Sequence, residues 1–151
     1  MIKTYVIDTN VLIQAPYALE CFEDNQLVLP LVVLEELDGL KKAEGEKGAN
    51  ARAAVRKLEE YRHKGDLLQG VELPGGGCLR VEKNYVNVEL PPDLPDDKPD
   101  NRILKVCKGL ADDKKAHLFG VCFFSDFSVL LILRYCFAIE STDFRNKGRR
   151  F

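Results

Sequence analysis

Four acids stand where a folded chain could gather them. Asp8 closes the apolar run "YVID", and Asp126 closes "CFFSD". Glu36 lies in "LVVLEELDGL", in a pattern of helical spacing, and Asp100 stands in the cap position of a helix "NRILKVCKGL". Each has an ordinary reading by itself: a turn residue, a helix cap, an acid on a solvated helix face. Their coincidence suggests more. In a parallel sheet both strand-end acids leave at one edge, and the two helix acids can start near it. Carboxylates collected there repel one another and require compensation. Mg²⁺ or Mn²⁺ is the simplest, since these ions prefer oxygen ligands and Mg²⁺ keeps part of its water shell. Such a centre suits phosphodiester hydrolysis, because the ion activates water and neutralises charge on the phosphate. Zinc is a poor candidate. His63 and His117 stand apart, and Cys21, Cys78, Cys107, Cys122 and Cys136 show no C-x-x-C spacing.

The elements that must position these acids alternate in type. Lys3 to Ile7 reads as a buried strand, and the stretch from Asn10 to about Asp24 is loosely helical with a break at Pro16. Leu27 to Leu29 forms a short strand. Pro30 can open a helix on which Val33, Leu34, Leu37 and Leu40 are the apolar positions. "EGEKGAN" reads as a polar loop. The helix after it, "NARAAVRKLEEYRHKG", buries Ala54, Leu58 and Tyr61 and stops at Gly65. "LRVEK" and "YVNVEL" are expected as short edge strands or a hairpin, with Gly75 to Gly77 as a turn, and Pro91 to Pro99 as a solvated loop. "LFGVCFFSD" is a second buried strand, and "FAIEST" a last short one. Strands that are nearly all apolar, alternating with helices, predict an α/β fold with a central parallel sheet and helices on both faces.

The bulk properties leave this open. The 151 residues fit one domain, and a chain of this size buries roughly two thirds of its unfolded surface without disulfide staples. A formal charge of -2 neither demands nor excludes a nucleic-acid partner. The odd number of cysteines among apolar neighbours predicts reduced thiols and a cytoplasmic location. No signal peptide is expected. The one long apolar run, "FSVLLILRYCFAI", is broken by Arg134 and too short for a bilayer.

Taken together, "VIDTNVLI", "LVLPLVVLEELDGLKK", "GANARAAVRKLEEYR" and "DNRILKV", followed by a strand and Asp126, resemble a PIN-domain ribonuclease. The closer likeness is to the N-terminal PIN domain of PhoH-like proteins. The resemblance covers nearly the whole chain and is densest up to Arg62. It implies a Rossmann-like three-layer fold and a Mg²⁺- or Mn²⁺-dependent endoribonuclease acting on single-stranded RNA. The family's acids carry over onto Asp8, Glu36, Asp100 and Asp126, and its polar residue beside the first acid onto Asn10. Thr9 and Ser125 are candidates to hold those carboxylates by hydrogen bonds. The chain departs from the family in two places. Leu130 stands where a basic residue is expected in the helix after the last acid. No phosphate-binding loop of the PhoH ATPase occurs, since "GEKGAN" is not one.

The expected boundaries are 1–144 for the nuclease-like domain and 145–151 for a basic tail. Lys41, Lys42, Lys47, Arg52, Arg56 and Lys57 form the most basic region outside that tail, and are candidates for an RNA track or simply for a solvated face. The consecutive apolar residues 129–133 point all around a helix, which predicts a homo-oligomer unless the segment is wholly core. A PhoH-like ATPase domain or a protein inhibitor is a further expected partner, and no membrane is. The alternative functions are a catalytically weak scaffold that binds RNA or protein, and the toxin of a toxin–antitoxin pair.

Overall fold

A computed structural model describes residues 2, 4–83, 85–95, 97–112, 118–123 and 141–143. Its centre is a six-stranded sheet in the order β3-β4-β2-β1-β5-β6. β1 (Thr4–Ile7) is the middle of this sheet, paired in parallel with β2 (Gln26–Pro30) on one side and β5 (Leu118–Phe123) on the other. β2 continues in parallel to β4 (Cys78–Glu82), and β5 to β6 (Ser141–Asp143). Tyr5, Val6 and Ile7 are buried, as are Leu27, Val28 and Leu29. A strand flanked on both sides and covered on both faces has no solvent side, so alternation is absent.

The chain winds outward from β1 to β2 to β4 through α1 (Thr9–Gln14), α2 (Leu31–Leu40) and α3 (Gly45–Lys64), three helices that pack on one another. After β4 it reverses, and α4 (Pro99–Asp112) crosses back to deliver β5 beside β1. α4 packs against β5 and against α2. The reversal makes the carboxyl end of β1, next to β5, the switch point of the sheet. That is where such folds open a crevice.

Three local expectations are corrected. The segment expected as the loop "EGEKGAN" is already helix from Gly45 onward. Gly48 makes this possible: a Cβ there would stand 1.7 Å from the Ala43 carbonyl oxygen, so only glycine lets the first turn of α3 pass the end of α2. "YVNVEL" forms no strand among the described residues. β4 is an inner strand, and its antiparallel partner is β3 (Val71–Glu72), joined through the Gly75–Gly77 turn with the Leu73 amide donating to the Gly77 carbonyl at 2.8 Å. Finally, Asp100 does not cap α4. The helix begins at Pro99, and the Lys98 carbonyl accepts from the amides of Asn101 and Arg102, which leaves Asp100 in the first turn. A carboxylate there is favoured by the partial positive charge of the helix start.

Among the described residues no helix is long and apolar enough to cross a membrane. Cys107 is buried, and Cys21 and Cys78 are half-buried and free.

Candidate active site

The apolar β1 runs directly into Asp8, which is 2% exposed. Burial pushes its carboxyl from an ordinary 3.8 up to about 7, and the charges of Asp100 and Glu36 push in the same direction. The Thr9 amide and the Asn10 side chain act against this without cancelling it. Asn10 donates from Nδ2 to Asp8 Oδ2 at 3.4 Å, at the long end for a hydrogen bond.

Glu36 reaches the same place from α2. It is half-buried, and its carboxyl is raised by burial and then by Asp100, against the opposing pull of Thr9 and Arg102. The Thr9 hydroxyl, itself buried, donates to Glu36 Oε1 at 2.8 Å. One short sequence, Asp8-Thr9-Asn10, thus supplies a carboxylate, an anchor for a second carboxylate, and a donor back to the first. Asp100 faces this pair from the start of α4 and is exposed. The structure therefore brings Asp8, Glu36 and Asp100 within electrostatic reach of one another at the switch point. Asp126 and Ser125 lie outside the described residues. β5, which leads toward them, runs parallel to β1 with Cys122 level with Ile7, so the chain leaves it at the Asp8 edge.

Arg102 was not apparent from the sequence. It lies in α4 just past Asp100, donates to Glu35 Oε2 at 3.2 Å and ties α4 to α2. Its place in "DNRIL", on the first turn that also carries Asp100, was the available signal.

The six basic residues do not form one group. Arg52 donates to the carbonyls of Lys41 (2.7 Å) and Ala43 (3.3 Å), satisfying the end of α2. Lys57 pairs with Glu20 at 2.7 Å and with Glu60 at 3.4 Å, and Lys41 pairs with Asp38 at 2.6 Å. Lys42, Lys47 and Arg56 are exposed.

The donor set can be tested for a metal. Asp8, Glu36 and Asp100 offer carboxylate oxygen alone, and a buried acid pushed up by two neighbouring acids is short of positive charge. Both facts fit a hard divalent cation. Among the described residues no group of three or more His, Cys, Asp or Glu side chains is placed to hold a metal ion.

A mainly parallel sheet, antiparallel only at its β3 edge, with carboxylates gathered at its switch point defines a Rossmann-like domain with an acidic site. A family model described as "PIN domain" matches residues 5–133, and the chain belongs to that family. It is similar to the protein PhoH2 of Bacillus subtilis, 45% identical over 112 residues, covering 74% of this chain and 25% of the relative. PhoH2 of Mycolicibacterium smegmatis is 39% identical over 117 residues, covering 76% and 26%. The chain thus spans about a quarter of the length of the curated relatives it matches. Among solved structures, a domain of a functionally unknown protein from Methanocaldococcus jannaschii superposes with a TM-score of 0.55 at 20% identity, over 93% of this chain and 90% of that one. It shares the fold.

Proposed function

We propose that this chain is a Mg²⁺- or Mn²⁺-dependent endoribonuclease that hydrolyses single-stranded RNA, with Asp8, Glu36, Asp100 and Asp126 as its acidic site. Membership of the PIN family, whose members are generally nucleases, supports the hydrolase reading. The observation that carries it is the buried Asp8, held at the sheet's switch point against two more carboxylates. Asp8, deepest, would be a metal ligand, with Glu36 and Asp100 completing the site directly or through water. A bound cation would supply the activated water and the charge that offsets the phosphate.

The rest falls to the chain's own side chains. Thr9 fixes the Glu36 carboxylate in one orientation and pulls its carboxyl down against the burial that raises it. Asn10 donates to Asp8 in the same sense. Arg102 pairs with Glu35 of α2 and lowers the Glu36 carboxyl by its charge. Lys42, Lys47 and Arg56 are the exposed cations available to attract the phosphate backbone. Because the relatives are about four times longer, we place a PhoH-like ATPase region, in the same chain or as a partner, beside this domain.

Cleavage of a single-stranded RNA with Mn²⁺, in wild type and Asp8→Asn, tests the proposal. Wild type cleaves, and loses cleavage in EDTA. Asp8→Asn keeps its fold and is inactive. Full activity of Asp8→Asn, or cleavage unchanged by EDTA, overturns the assignment.

A further inference from the structure

Beside the carboxylates lies a cleft of about 170 Å³ that the acidic site leaves unused. Its floor and one wall come from the β2–α2 junction at Pro30, Leu31 and Val32, and its other wall from Val106 of α4 and the Tyr85–Val86 segment. The parallel register, with Val6 level with Val28, carries on to set Pro30 level with Asp8. Arg102, which pairs with Glu35 of α2 and acts electrostatically on Glu36, lines the cleft as well.

Three features hold the outer wall in place. Tyr85 has a positive φ of 69°, an uncommon conformation for a bulky residue, which turns the chain back over α4. Gly109 gives room for its ring: a Cβ there would stand 2.1 Å from Tyr85 Cδ1. Lys105, almost fully buried, donates from Nζ to the Val86 carbonyl at 3.1 Å. The wall so fixed presents Val86 at 68% exposure, facing a cleft whose opposite side carries Leu31 at 41% exposure. Both line the cleft together with Lys83 and Arg102.

We infer that this cleft receives one unstacked base of the single-stranded RNA, next to the phosphate held at the carboxylates. The inference rests on the nuclease reading for the identity of the strand. Three properties favour a base over other occupants. The space is smaller than a drug-sized pocket and suits one flat ring. Leu31, Tyr85 and Val86 offer apolar surface for the face of a base, while Glu82 and Lys105, also in the lining, offer polar groups for its edge. One of its rim cations, Arg102, also acts electrostatically on Glu36 of the acidic site, matching the phosphate that must link a base here to the scissile bond. A wall built in advance loses little freedom on binding, so this subsite would select substrates without remodelling.

The test uses nucleoside monophosphates and ribose 5-phosphate as probes, followed by ¹H–¹⁵N spectra of the chain. Nucleotides should shift the amides of Leu31, Val86 and Arg102, and ribose 5-phosphate at equal concentration should not. Val86→Asp, at an exposed position where the fold is insensitive, should weaken the nucleotide response about tenfold, the scale of a single stacking interaction. The companion measurement places a single abasic residue at successive positions of an RNA. In wild type, cleavage should fall when the gap stands at one fixed offset from the scissile bond, and that dip should vanish in Val86→Asp. Equal shifts with ribose 5-phosphate, or none with any nucleotide, overturn the base subsite even if the enzyme cleaves. Specific shifts in a protein that never cleaves RNA preserve the subsite and remove the nuclease reading.

Discussion

Asp8 makes the folded domain sensitive to pH in a direction opposite to most surface acids. Its carboxyl holds a proton more tightly folded than unfolded, about 7 against 3.8. In EDTA the stability contributed by this carboxyl is therefore fully present below about pH 4, is lost as pH rises toward 7, and stays level above that. At about 1.4 kcal/mol per pKa unit, the loss approaches about 4 kcal/mol. Denaturant titrations between pH 4 and 8 should show this slope in wild type and little of it in Asp8→Asn, which should be the more stable protein at pH 8. A second residue-scale prediction concerns Thr9. Thr9→Val keeps the shape and removes the 2.8 Å hydrogen bond to Glu36. That bond holds Glu36 down, so its loss should move the acid limb of the pH–rate profile to higher pH. The cost in stability should be about 1 kcal/mol by denaturation.

Among the elements, α3 shows why some of the basic residues read from sequence have work other than RNA. Arg52→Ala should cost about 1 kcal/mol in denaturation, because the carbonyls of Lys41 and Ala43 lose their donor. Replacing Lys42, Lys47 and Arg56 together should leave stability nearly unchanged and flatten the salt dependence of RNA binding, by about 0.7 in log–log slope for each phosphate no longer neutralised. An unchanged slope assigns those three to the solvated face. Gly48→Ala should destabilise by about 1–3 kcal/mol despite the better helix propensity of alanine, since its Cβ would enter the Ala43 carbonyl. This same clash explains the loop misreading at "EGEKGAN". Glycine signals a break by local propensity, and only the neighbouring α2 shows that it is there to let a helix begin. The "YVNVEL" pattern failed in the opposite way. Its alternation looked like a strand, yet Lys105 and Lys108 of α4 take the carbonyls of Val86 and Glu89 that a ladder would have used.

For the molecule as a whole, the strand-end logic was legible. A run of apolar residues ending on Asp8 implies a buried strand and an acid at its exit, and parallel order follows from the alternation of elements. Glu36 and Asp100 were legible as candidates, but their approach to Asp8 depends on the reversal after β4, which no local pattern encodes. Arg102 and the cleft beside it were hidden for the same reason, being products of α2 and α4 meeting across the sheet end. Metal addition should register globally. If Mg²⁺ or Mn²⁺ binds only the folded site, saturating ion should raise the unfolding midpoint of wild type and not of Asp8→Asn. An equal rise in both would place the ion elsewhere.

The central position of β1 also has a kinetic consequence. Its first neighbour, β2, follows closely in the chain, while its second, β5, is made only after α4 has crossed back. Contacts between distant segments close late. A growing chain can therefore form β1, β2, β4 and the helix layer, with Thr9 already bound to Glu36, before Asp100 exists to face them. The acidic cluster is the last part to assemble, so a chain whose synthesis has not yet passed α4 carries Asp8 and Glu36 without Asp100 to face them.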